Sequence, residues 1–211
     1  MTGRTILIGD IHGCCEEFQA LLARLEPHRR DEIILLGDLV NKGPDPEGVI
    51  ETFLALRCTS LRGNHDCDHL NWALGKSKPK AESVVTREKM SKKTYQLYID
   101  AVAHMPLFVE RSRFLAVHGG LLPDVPLLDQ PDEVLTGERT LEPSWKNNLS
   151  LGKPVVVGHK RYNIDPQQPG VIPGKFYGMD TGCVFGGRLT ALVLPTFEFV
   201  SVHAEHDYSA D

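Results

Sequence analysis

Thr5-Ile6-Leu7-Ile8-Gly9-Asp10-Ile11-His12-Gly13 is a short apolar run that breaks at a glycine into an Asp-x-His triplet. The same grammar recurs in Gly37-Asp38-Leu39-Val40-Asn41-Lys42-Gly43-Pro44, Arg62-Gly63-Asn64-His65-Asp66, Val117-His118-Gly119, Val157-Gly158-His159 and Asp180-Thr181-Gly182. Several of these blocks follow β-branched, apolar segments: Ile33 to Leu36, Phe114 to Val117 and Val155 to Val157. An α/β sheet presents ligands in this way, collecting reactive groups at the carboxyl ends of its strands while glycines let backbone pass close to an ion.

The residue types narrow the ion. Asp10, His12, Asp38, Asn64, His118 and His159 offer three imidazoles, two carboxylates and one amide oxygen. That is too many donors for one tetrahedral zinc, and none is a thiolate. The set suits two five- or six-coordinate divalent ions with one carboxylate shared and positions left open for water. A lone Asp-x-His would mean little, because a single histidine is usually a packed or surface residue. Six ordered blocks are a different observation.

These blocks resemble the calcineurin-like metallophosphoesterases, within them the phosphoprotein phosphatase superfamily that includes small bacterial serine/threonine phosphatases and symmetrical diadenosine tetraphosphatases. The resemblance runs from Thr5 to about Leu194. It implies an α/β fold, a four-layer αββα sandwich of two mixed β-sheets flanked by helices. It also implies that Asp10, His12 and Asp38 hold a first metal, that Asp38, Asn64, His118 and His159 hold a second, and that His65 is the catalytic acid. The expected cofactors are two divalent metal ions, Mn first, with Fe, Zn, Co, Ni or Mg also fitting such a site.

Composition agrees with one enzyme domain over residues 1–211: 41% of the chain is hydrophobic, enough for one sizeable core. Cys14, Cys15, Cys58, Cys67 and Cys183 form no Cys-x-x-Cys pair and leave an odd count, which points away from a disulfide framework and toward the cytoplasm. Cys14 and Cys15 read best as small buried residues opening a helix. No signal peptide or membrane-spanning run is expected. A formal charge of −5 argues against general nucleic-acid binding while leaving room for a local anion funnel.

Periodicity places helices after Cys15 and over Pro46 to Leu56, and strands at Thr5–Ile8, Glu32–Leu36 and Thr59–Leu61. Residues 66 to about 104 read as a helical insert. Further strands are expected at 107–110, 114–117, 154–157, 175–179, 188–194 and 197–202. The stretch 121–148, rich in Pro, Asp and Glu, reads as a surface loop with one or two short helices.

In protein phosphatases resembling this chain, the second block supplies a carboxylate partner for the acid histidine and then an arginine for phosphate. Here those places hold Asn41 and Lys42. An amide orients an imidazole without stabilising its cation, and lysine lacks arginine's fork. Asp66, adjacent to His65, is a weaker substitute, since consecutive side chains usually diverge. A phosphate or nucleotide leaving group tolerates poor protonation better than a serine alkoxide. The pair therefore tilts the expected substrate toward phosphoanhydrides such as a nucleoside polyphosphate or polyphosphate, with phosphomonoesters and a phosphoprotein as alternatives and a non-catalytic phosphate-binding scaffold outside them.

The Gly-Asn-His-Asp and Asn-Lys-Gly-Pro blocks, Leu74 to Lys80, and Asp180 to Leu192 look like the diadenosine tetraphosphatase branch. The chain is shorter than that branch, chiefly between His118 and His159. Asn41, Lys42, Lys160, Arg161 and Arg139 are the candidate phosphate contacts. The basic stretch from Lys76 to Lys93 reads first as a solvated face, and functionally as a rim that steers polyanions. His69, His104, His203 and His206 read as surface or capping residues.

Overall fold

The computed structural model describes residues 3–210. In its first half β1 (Thr5–Ile8), α1 (Cys15–Leu25), β2 (Glu32–Leu35), α2 (Pro46–Leu56) and β3 (Thr59–Ser60) alternate, and then α3 (Asn64–Ala73), α4 (Ala81–Glu88) and α5 (Lys92–His104) form the helical insert. Next come β4 (Phe108–Arg111), β5 (Phe114–Val117), α6 (Asp132–Leu135), β6 (Val155–Val157), β7 (Gly170–Ile172), β8 (Phe176–Gly178), β9 (Arg188–Leu194) and β10 (Glu198–His203). The expected strands are found with ends shifted by a residue or so. β7 was not expected: its Gly170-Val171-Ile172 is too short to show periodicity and exists by pairing with β8.

The strands form two five-stranded sheets, ordered β10-β9-β1-β2-β3 and β4-β5-β6-β8-β7. Within them β1, β2 and β3 run parallel, as do β5, β6 and β8. Continuously apolar strands need cover on both faces. Ile6 and Ile8 of β1 face α1, α2 and α5, whereas Leu7 turns to the second sheet and packs in one cluster with Ile34, Leu36, Ala116, Val156 and Leu192. The fold is thus α/β, two mixed sheets pressed together with helices outside.

The outer face of the second sheet has a thinner cover than helices would give. Leu115, Val117, Val155, Val157 and Phe176 point that way and bury Leu121, Leu135, Trp145 and Leu149 against themselves. The 121–148 stretch is therefore a covering layer as well as a loop. Its polar composition conceals a few widely spaced anchors.

Local chemistry fixes the helix starts. The Asp45 side chain accepts from Gly48 N at 2.8 Å and Pro46 supplies the first helical position of α2. At α3 the Asp66 carboxylate reaches back to Gly63 N at 2.9 Å, and the same oxygen accepts from Asp38 N at 2.9 Å. Its other oxygen accepts from Tyr98 OH at 2.8 Å and, more loosely, from Leu39 N at 3.4 Å. One carboxylate thus ties the loop after β2, the start of α3 and the middle of α5.

Asp66 and Tyr98 are both fully buried. Tyr98→Phe should remove one donor from this carboxylate without making a cavity, and should cost about 1–3 kcal/mol of stability. Urea unfolding of the metal-free protein checks this; an unchanged midpoint at unchanged slope would show that Tyr98 contributes packing only.

Candidate metal centre

Asp10 and His12 follow β1, Asp38 follows β2, Asn64 and His65 open α3 after β3, His118 follows β5, and His159 and Asp180 follow β6 and β8. Every block thus lies beyond the carboxyl end of a parallel strand. The two sheets bring these ends together around one pocket of about 360 Å³, whose walls include His12, Asp38, Asn64, His65, His159 and Asp180.

The backbone bends hard to achieve this. His12, Asp38, Asn41, Lys42 and His159 all have left-handed φ, between 49° and 74°. Non-glycine residues pay for that conformation, and it persists only where the surroundings over-determine it. Gly63 is required for a different reason: a Cβ there would collide with the Asp38 carboxylate.

Asp38 is the hub. Its Oδ1 accepts from His65 N at 3.0 Å, which leaves Oδ2 facing His118 Nε2 at 3.3 Å, His12 Nε2 at 3.7 Å and His65 Nε2 at 4.0 Å. Burial works to raise its pKa, but the His118 and His65 imidazoles outweigh burial and hold the carboxyl well below its usual range. Asn64 Oδ1 lies 3.3 Å from His118 Nε2 and 2.9 Å from His159 Nδ1. Asp10 accepts from His159 N at 2.9 Å and is buried near Asp180; burial first, then the Asp180 charge, push its pKa up.

These donors fit divalent ions. His12 Nδ1 meets Val40 O at 3.1 Å and His118 Nδ1 meets Leu36 O at 2.7 Å, so each ring donates to backbone and turns its Nε2 toward Asp38. His159 Nε2 is buried with no partner among the described residues. Burial, above all, lowers the pKa of both His12 and His159 to about 3, keeping their lone pairs free, whereas at His118 burial is overridden by the Asp38 carboxylate, which pushes the pKa up to about 10. Ligating atoms of Asp38, His118 and His159 lie mutually within 4.8 Å, as do those of His12, Asp38 and His65, and among the described residues Asp10 belongs to neither group.

The phosphate candidates separate. Lys42, Lys160 and Arg161 line the pocket, and Lys42 Nζ lies 3.2 Å from His12 Nε2 and 3.1 Å from His65 Nε2. Arg139 is exposed and is not among the pocket walls. Asn41 is fully buried and both ends of its amide are occupied, 3.0 Å from His65 Nδ1 and 2.8 Å from His69 Nε2. It supports the imidazole and does not face phosphate.

One expectation for the surroundings of His65 is corrected. His69 is not a surface residue: it is buried, and its ring joins Asn41 to Tyr95 OH, 3.2 Å from Nδ1. Asp66 does not pair with His65, because its carboxylate is consumed by backbone and Tyr98. Instead Glu82, at the start of α4, places Oε1 3.3 Å from His65 Nδ1. Sequence reading missed it since nothing in a helical insert marks which turn will fold back over the pocket. His104, His203 and His206 are exposed, as expected. Cys14 and Cys15 are buried at the start of α1, also as expected.

The family model of the calcineurin-like phosphoesterases matches residues 3–197. The chain belongs to this family. Among curated relatives, the asymmetrical bis(5′-nucleosyl)-tetraphosphatase PrpE of Anoxybacillus flavithermus is 28% identical over 97% of this chain and 96% of its own length. The symmetrical bis(5′-nucleosyl)-tetraphosphatase of a Janthinobacterium strain is 32% identical over 90% and 92%. A solved protein named as a candidate diadenosine tetraphosphatase superposes with a TM-score of 0.77, at 27% identity over 97% of this chain and 95% of that one. The two alignments run over 242 and 259 positions against 211 residues here, so each relative carries segments that this calcineurin-like phosphoesterase lacks. As a phosphoesterase of this family it is a hydrolase.

Proposed function

We propose that this hydrolase uses two divalent metal ions, manganese first, to cleave the phosphoanhydride of a nucleoside polyphosphate in the manner of a diadenosine tetraphosphatase. The observation that carries the proposal is Asp38: one oxygen is pinned to the His65 N–H and the other is aimed at three imidazoles, the posture of a shared ligand. Asp10 and His12 complete the first set, and Asn64, His118 and His159 the second. Such ions supply charge neutralisation at the phosphoryl oxygens and activation of water for in-line attack.

The remaining work falls to side chains. Lys160 and Arg161 would orient phosphate oxygens, joined by Lys42, whose ammonium lies between the His12 and His65 rings at the pocket wall. His65 turns Nε2 into the pocket, placed to hand a proton to the leaving oxygen, while its Nδ1 faces Asn41 Nδ2 at 3.0 Å and the Glu82 carboxylate at 3.3 Å. Glu82 thus fills the role that Asn41 cannot. That His65 is kept facing the ligand group, backed by a carboxylate, favours turnover over a phosphate-binding scaffold. The names of the relatives favour a small nucleotide over a phosphoprotein. The five cysteines are all free, and no described helix is long and apolar enough to cross a membrane; a reducing cytoplasm suits both facts.

Asp38→Asn should abolish nearly all turnover and remove at least one equivalent of bound metal, read by elemental analysis beside activity. Two retained metals with near-normal rates would overturn the shared-ligand role. His65→Ala and Glu82→Gln should both lower kcat at unchanged metal content, His65→Ala by about 10²–10⁴-fold and Glu82→Gln less. Both deficits should shrink as the leaving group improves from an alkyl phosphate to p-nitrophenyl phosphate. Equal losses on the two substrates would mean that neither residue acts on the leaving oxygen.

Diadenosine tetraphosphate with Mn²⁺ tests the substrate class, and chromatography of the products tells which anhydride breaks. Attack at the central bridge yields two ADP, whereas attack at an outer bridge yields ATP and AMP. A phosphoserine peptide turned over faster than the dinucleotide would reverse the preference proposed here.

A further inference from the structure

Beside the metal pocket lies a second groove of about 430 Å³, in the size range of small-molecule sites. It runs between α4 and the C-terminal segment and shares two walls with the metal pocket, Lys42 and Phe185. Val85 and Tyr208 continue the apolar side, Lys89 stands on the other, and Glu82 marks the junction with His65. We propose that this groove holds the nucleoside of the departing nucleotide.

The inference rests on the proposed nucleoside polyphosphatase activity, and three observations support it. The first is direction. In an in-line displacement the leaving group departs on the side of its proton donor, and the groove opens on that side: Glu82, which lines it, touches His65 Nδ1, and Lys42 reaches His65 Nε2. A chain of phosphates running outward from the metals past His65 meets Lys42 at the threshold and then the groove.

The second is chemistry. Phe185 contacts two cations of the phosphate pocket, with Arg161 Cζ 4.7 Å and Lys42 Nζ 5.6 Å from the ring centroid. That contact fixes a flat π-surface at the point where phosphate contacts give way to aromatic and aliphatic ones. A base has a face to stack on such a ring; inorganic polyphosphate has none. The Glu82 carboxylate in the wall would also repel a continuing polyanion.

The third is the setting of the walls. Val85 is 51% exposed although its neighbour Thr86 on α4 is buried, and Tyr208 is held in place by its OH donating to Glu17 Oε1 at 2.8 Å. Lys89 Nζ donates to Gly43 O at 3.1 Å, bracing α4 against the loop that carries Lys42. The groove is thus walled by braced elements with an apolar side chain left toward solvent.

The test separates the groove from the activity by measuring binding without turnover. The Mn²⁺-loaded protein is titrated calorimetrically with adenosine 5′-(α,β-methylene)diphosphate and with methylenediphosphonate, which share the diphosphonate and differ by the nucleoside. The nucleotide should bind at least about tenfold more tightly. Val85→Trp, which fills the groove without adding charge at an exposed position, and Phe185→Leu, which removes the π-face, should each erase most of that advantage. Unaltered methylenediphosphonate affinity shows that Val85→Trp is folded, while Phe185→Leu, whose ring contacts Lys42 and Arg161, is read through the ratio of the two affinities. If the nucleoside adds no affinity, or if both variants keep the advantage, the groove is not its site. A phosphopeptide that binds the groove in competition with the nucleotide, and more tightly, would equally overturn the proposal. Failure of diadenosine tetraphosphate to be hydrolysed would sink the activity while leaving the binding comparison decisive for the groove.

Discussion

The candidate metal centre depends on a residue outside the proposed ligand set. Asp66 is a buried carboxylate without a cationic partner among the described residues, and its hydrogen bonds from Asp38 N, Gly63 N and Tyr98 OH are what satisfy it. Burial, and then the nearby Asp38 charge, push its pKa up, so those donors must be held in place for the group to be tolerated. Because the donors come from the loop after β2, the start of α3 and the middle of α5, satisfying one carboxylate sets the distance between Asp38 and Asn64. The requirement also explains why a helical insert belongs to the centre and is not a decoration on it.

Around this pin the site is built from unfavourable local choices that the scaffold overrules. Five site residues sit in the left-handed region, and the carboxylates of Asp10, Asp38 and Asp180 are buried near one another. Each would relax if the loops were free. They are held because β1, β2, β5 and β6 are buried on both faces, leaving the loops at their ends no room to drift.

His65 shows how a departure from the protein-phosphatase pattern is absorbed. Replacing a carboxylate by Asn41 leaves an amide that needs its own partner, and His69 with Tyr95 behind it supplies one. The missing charge arrives from a different element, through Glu82 of α4. Support for one imidazole is thereby divided between a neutral chain that orients it and a carboxylate that faces it. The same helix that carries Glu82 also presents Val85 to the groove beyond.

The sequence by itself determined the fold class and marked the candidate ligand set, since apolar runs ending in glycine and a ligating residue are local patterns, readable because strand burial and turn geometry act over a few residues. It also located α2 and the strands Phe114–Val117 and Arg188–Leu194 at their observed limits. Only the tertiary structure decided what lies second to those ligands: that His69 is buried, that Asp66 serves backbone, that Asn41 turns away from phosphate, that Arg139 lies at the surface and that Glu82 faces His65. These outcomes depend on how α3, α4 and α5 fold over the strand ends, and on long-range pairings that leave no periodic trace in the chain. A motif records which atoms the chemistry needs; which neighbours satisfy them is settled by packing.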